Sequence, residues 1–192
     1  MRPVYFIRHA SPTIQPNVPA EEWTLSERGV EEARRLAQVA ATWGLAAVYS
    51  SAEPKAQATA LIVGDAAALP VHVVEGLQEL RFDRWIPNAD EFSEMIRRIF
   101  EQPAGSVHGA ERVDAAAARF ASAIELLDER EFPAAIVSHG RILTAYLAQL
   151  LRLDDPFTLW RSIPMPGWVR VNLDDPRGPV VFEAAPPHEA AS

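Results

Sequence analysis

The chain contains no cysteine, which excludes disulfides, thiolate metal sites and thiol nucleophiles. It contains a single lysine, Lys55, against 17 arginines, so arginine is its background cation. No apolar run approaches the length of a membrane span, so no membrane partner is expected. Net positive charge is also missing. The formal charge is -8, which argues against general nucleic-acid binding and requires a locally basic pocket for any anionic ligand. Arg2-Pro3 leads directly into an apolar stretch, with no h-region or small-residue cleavage site, so no signal peptide is expected. The class that remains is a cytoplasmic enzyme or binding protein. The sequence is silent on oligomeric state.

What is present suits one domain over residues 1–184, at 48% hydrophobic and 23% charged residues in a chain of 192. Val4-Tyr5-Phe6-Ile7 is a short apolar run rich in strand formers, and it runs into Arg8-His9-Ala10-Ser11-Pro12. Pro12 cannot continue a strand, so Arg8 and His9 fall where a buried strand gives way to a loop. In open α/β sheets, ligands bind outside such carboxyl ends. The plain alternative is a strand-end pair facing solvent.

Proline-rich residues 11–25 read as a loop. Ser26 is the expected N-cap of a helix that stops at Gly44. A strand at 46–51, a helix from Pro54 to about Ala68 and a strand at 71–74 complete a β-α-β-α-β rhythm. The rhythm breaks between 79 and 111, where Phe92, Met95, Ile96, Ile99 and Phe100 predict one amphipathic helix. This segment, about 80–110, reads as an inserted helical lid leaning over the sheet edge. Then follow a helix from Val113 to Leu127, a strand at 134–138, a helix apolar nearly all round at 141–151, and strands at 168–173 and 179–183. Residues 185–192 read as a disordered tail. The predicted class is α/β, a three-layer αβα sandwich around a mostly parallel sheet.

Two strands end alike, in Ile7-Arg8-His9-Ala10 and Val137-Ser138-His139-Gly140. If the strands are parallel neighbours, the two imidazoles stand side by side.

From Val4 to about Leu151 the chain resembles the histidine phosphatase superfamily, which includes the phosphoglycerate mutases. The resemblance rests on ordered blocks: Arg8-His9-Ala10; Leu25-Ser26-Glu27-Arg28-Gly29 with Ala33; Tyr49-Ser50-Ser51 with Lys55-Ala56 and Thr59-Ala60; Leu77-Gln78-Glu79; Gly109-Ala110-Glu111 with Arg119; and Val137-Ser138-His139-Gly140. It implies that His9 attacks phosphorus and carries the phosphoryl group. Arg8, Lys55 and His139 would bind the phosphate oxygens, and Glu79 would be the acid, with Glu75 and Asp83 as alternatives. Neither metal nor cofactor is implied, because cationic side chains take that role.

Three departures stand out. Ala10 follows the nucleophile where glycine is common. Pro12 and Gln15 stand where the family often has Thr and Asn. Lys55 replaces an arginine and loses its bidentate fork. Gln15, Arg81 and Trp85 are candidate contacts to substrate. Ser138 is expected to hold its neighbours. His72 reads as packed or exposed, His108 as an exposed loop residue, and His188 as part of the tail.

The implied function is hydrolysis of a small phosphorylated molecule through phosphohistidine. A mutase that returns the phosphoryl group to a second hydroxyl is one alternative, and a catalytically silent binding protein on the same fold is another.

Overall fold

The computed structural model describes residues 1–187 except 83, 108, 178 and 179. Among the described residues, six strands form one sheet. They are β1 (Pro3–Arg8), β2 (Ala47–Ser50), β3 (Val71–Val73), β4 (Ala134–Ser138), β5 (Gly167–Asn172) and β6 (Glu183–Ala184). Their order across the sheet is β3-β2-β4-β1-β5-β6. The pairs β3/β2, β2/β4 and β4/β1 are parallel, whereas β5 and β6 join antiparallel.

Helices cover both faces, because successive side chains of a strand point to opposite sides and the central strands are apolar on both. On one face, Ile7, Val48, Ala135 and Val137 pack against α1 (Glu27–Ala40) and α2 (Pro54–Ala67) through Leu36, Ala40, Ala60 and Val63. On the other, Val4, Phe6 and Ile136 pack under α4 (Val113–Glu125) and α5 (Gly140–Leu151). There the Phe6 ring meets Phe120 and Tyr146, with centroids 6.2 and 5.5 Å away. The expected three-layer αβα arrangement around a mostly parallel sheet is present.

Local chemistry explains the boundaries. Ser26 caps α1 by accepting from Gly29 N–H, and a Cβ at 29 would sit 2.0 Å from the Ser11 carbonyl oxygen. Asn88 caps α3 (Ala89–Glu101), accepting from the amides of Asp90 and Glu91. The buried side of α3, formed by Ile96, Ile99 and Phe100, joins the α4–α5 core. Phe92 and Arg97 meet Trp160 and Phe157 of α6 (Pro156–Ser162), a helix that the sequence reading did not separate from its surroundings.

The last strand is shorter than the 179–183 expected, and begins at Glu183. Beyond it, Ala185 N–H donates to Pro166 O and Arg35 Nε to Pro186 O. Residues 188–192 of the expected tail lie outside the described residues.

The feature that positions the site is the switch at the sheet centre. Leaving β1, the chain turns to one face and forms α1; leaving β4, it turns to the other and forms α5. Their carboxyl ends therefore open a crevice between them. The parallel register pairs Arg8 with Ser138, and His9 N–H donates to Ser138 O at 3.0 Å.

Candidate active site

That register carries His9 and His139 to the crevice together, with ring centroids 5.1 Å apart and interplanar angle 63°. Both imidazoles are buried. His9 Nδ1 lies 2.8 Å from Ala10 O, an acceptor only, so Nδ1 carries the proton and Nε2 keeps its lone pair. Burial above all lowers the His9 pKa to about 3; nearby Lys55 and Arg8 add to the shift, against the Ala10 hydrogen bond. The ring is therefore neutral at neutral pH. Burial also holds His139 well below its ordinary value, helped by the cations Lys55, Arg141 and Arg8. Its Nε2 lies 2.8 Å from Ser51 Oγ and 3.3 Å from Glu53 Oε1, and with a neutral ring the latter is a polar contact, not an ion pair.

Arg8 is anchored by a 2.7 Å hydrogen bond from Nη1 to Ile163 O. Among the described residues, the buried Arg8 Nε and His139 Nδ1 have no partner. Unpartnered buried polar atoms are costly, so a phosphate accepting from Arg8 Nε–H, and from His139 Nδ1–H in the tautomer whose Nε2 accepts from the Ser51 hydroxyl, would relieve that cost. Gly140 makes room for the guanidinium, since a Cβ there would approach Arg8 Nε to 3.1 Å. The small Ala10 is fully buried, and its N–H donates to Thr59 Oγ1.

Glu79 is fixed from several sides. Its carboxylate accepts from the amides of Leu80, Arg141 and Ile142, and Arg141 Nε lies at 3.2 Å. Two of those amides open α5, where a helix N-terminus favours negative charge. Arg119 holds the loop bearing Glu79 by donating to Gly76 O (2.7 Å) and Gln78 O (3.1 Å), while Glu111 pairs with it at 2.9 Å. Ser138 Oγ donates to Leu77 O, the holding role expected of it.

Arg8, His9, Lys55 and Glu79 line one cleft of about 1060 Å³ that is bordered farther out by aromatic side chains, while His139 is fully buried behind it and is not among the lining residues. Trp85 and Arg81 line it as well, and Trp85 meets Trp23 edge to face at 5.7 Å. Gln15 is exposed and is not among the lining residues; its carbonyl accepts from Trp23 Nε1. Glu75 lines the cleft but is exposed, and Asp83 and His108 lie outside the described residues. His72 sits on β3 beside Tyr49, apart from the lining. Among the described residues, no group of three or more His, Asp or Glu is placed to hold a metal ion, and no helix is long and apolar enough to cross a membrane.

Residues 4–182 match the model of the Histidine phosphatase superfamily (branch 1). The chain belongs to the histidine phosphatase superfamily. Solved structures share the fold over nearly the whole length. Among them are a mycobacterial glucosyl-3-phosphoglycerate phosphatase (20% identity, TM-score 0.69, 95% of this chain and 96% of that one) and the α-ribazole phosphatase from Shigella flexneri (22%, 0.70, 98% and 100%). Bacillus stearothermophilus YhfR is another, at 24% identity and TM-score 0.70 over 95% of each chain. No curated protein sequence matches this chain.

Sequence reasoning missed Glu53, which is buried against Lys55 and His139. One signal was available. Glu53 stands at the N-cap of α2, two residues after the strand-end Ser50-Ser51, yet its side chain does not cap the helix. A carboxylate two residues before the only lysine, at another strand's carboxyl end, is a candidate by position alone. The anchor of Arg8 on Ile163 O, 155 residues away, had no local signal.

Proposed function

We propose that the chain is a phosphomonoesterase that hydrolyses a small phosphorylated substrate through a phosphohistidine at His9. The observation that carries this is the His9 tautomer, with Nδ1–H spent on Ala10 O and the Nε2 lone pair left for attack. Nε2 bonds to phosphorus as the bond to the leaving oxygen breaks, and a proton from Glu79 neutralises the departing alkoxide. Water then attacks phosphorus and gives its proton to Glu79, the P–N bond breaks, and inorganic phosphate and neutral His9 return. The second step uses the carboxylate form of Glu79, which its three amide donors hold in place. Arg8, Lys55 and His139 bind the transferred group, whose chemistry calls mainly for positioning and charge stabilisation.

Trp23, Trp85, Phe82 and Phe92 on the cleft support a leaving group with an apolar or aromatic part. Residues 80–110 act as the lid and substrate selector in this reading. A cytoplasmic setting belongs to it too, on the sequence pattern alone.

The test is a panel of phosphometabolites, with His9→Ala as blank, scoring both phosphate release and phosphoglycerate isomerisation. Release that depends on His9, with acid-labile label trapped on that residue, is expected. Isomerisation without release makes the chain a mutase. Release that persists in His9→Ala overturns the covalent route.

A further inference from the structure

Glu53 is a buried carboxylate on which three parts of the site converge, and the steps above give it no task. One oxygen, Oε2, pairs with Lys55 Nζ. The other, Oε1, accepts Glu79 N–H at 2.8 Å and lies 3.3 Å from His139 Nε2. Lys55 Nζ also donates to Ala20 O at 2.6 Å. An ammonium has three donors on a flexible stem, so these two acceptors pin it and leave one N–H for the cleft.

The same carboxylate acts against a phosphate dianion. It sits in a buried pocket where screening is weak, and it cancels much of the attraction of the lysine beside it. Arg141, the next cation on the cleft, is likewise paired with a carboxylate, that of Glu79. Arg8, by contrast, donates to a carbonyl. The site therefore offers fixed donors with less net positive charge than its list of cations implies.

We infer that Glu53 is a positioning residue that fixes the Lys55 ammonium as a single-point donor and weakens ground-state binding of phosphate, so that the product leaves. This rests on the phosphatase reading, in which inorganic phosphate is the product. Burial pushes the Glu53 carboxyl up, against the pull of Lys55, so the effect should be largest at neutral pH and above, where the carboxylate persists.

The experiment measures binding of inorganic phosphate by titration calorimetry near pH 7.5, together with kcat and phosphate inhibition on an aryl phosphate. Glu53→Gln should bind phosphate about tenfold tighter or more, the scale on which one nearby charge moves an equilibrium, while kcat falls. Glu53→Asp keeps the charge but withdraws it from Lys55. Its phosphate affinity should stay within about twofold of wild type although kcat falls, since charge and anchor are then separated. Glu53→Met is a second neutral variant should the amide not fold. Unchanged or weaker phosphate binding in the neutral variants overturns the inference, as does equal tightening by Asp. Lack of phosphate binding in every form overturns it together with the phosphatase reading. Binding is read without turnover, so a chain that tightens as expected yet hydrolyses no monoester refutes that reading alone.

Discussion

The His9 and His139 rings stand 5.1 Å apart, edge to face, at the ends of two parallel strands that are 130 residues apart in the chain. Neither ring faces a charged partner strong enough to keep it protonated, so the centre of this acidic protein is a pair of neutral imidazoles flanked by cations.

That pair makes the fold acid-sensitive. The folded His9 titrates at about 3 and an unfolded one near its ordinary 6.5, so between those values the unfolded chain binds more protons. Stability is therefore full above pH 6.5 and declines as pH falls through that window. His139 contributes in the same direction. By pH 5 the loss from His9 alone should be about 2 kcal/mol. Urea midpoints at pH 7 and pH 5 measure it, and His9→Asn should flatten the slope. An equal slope in the variant would show that other groups carry the effect.

Lys55 should tolerate a change of shape better than a loss of charge. Lys55→Ala should lower kcat/KM by roughly 10²–10³, the cost of removing a transition-state donor. Lys55→Arg keeps the cation and should lose about tenfold or less, with a change in inhibition by inorganic phosphate. Steady-state rates on one substrate decide it. Full activity in Lys55→Ala removes Lys55 from the clamp and leaves Arg81 or Arg141 as its replacement.

Gly140→Ala should damage activity more than stability. The new Cβ would meet Arg8 Nε at 3.1 Å and Cζ at 3.2 Å, at the end of a side chain that is able to move. Displacing the guanidinium by a fraction of an ångström should cost roughly 10–100-fold in kcat/KM. A melting temperature close to wild type alongside that loss supports the assignment. A large fall in both would mean that Arg8 is held too rigidly to yield.

Arg119 holds the loop that carries Glu79, the acid of the proposed mechanism. Arg119→Ala removes its donors to Gly76 O and Gln78 O and leaves Glu111 unpaired. We expect kcat to drop by about 10–100-fold with a smaller change in KM, because the acid is misplaced while the clamp stays intact. Arg119→Lys should recover part of the loss. If KM rises and kcat holds, the residue serves substrate binding and not the placement of Glu79.

Much of this protein was determined by local sequence alone. Alternation and apolar runs specify the strands at 47–50 and 134–138, the Ser26 cap starts α1, and the apolar 141–151 segment is the buried helix α5. Arg8-His9 marks a strand end because Pro12 soon follows, and Ser138-His139 because the apolar helix α5 begins at Gly140. Tertiary structure alone decided that β4 inserts between β2 and β1, so that those two ends meet. It also decided that α3 rests on α6, that Arg8 reaches Ile163 O, and that Glu53 turns inward to Lys55 and His139. The physical reason is range. Periodicity, capping and turn chemistry act over a few residues and leave their mark in the string, whereas the protonation and partners of a buried group depend on whatever distant elements pack around it.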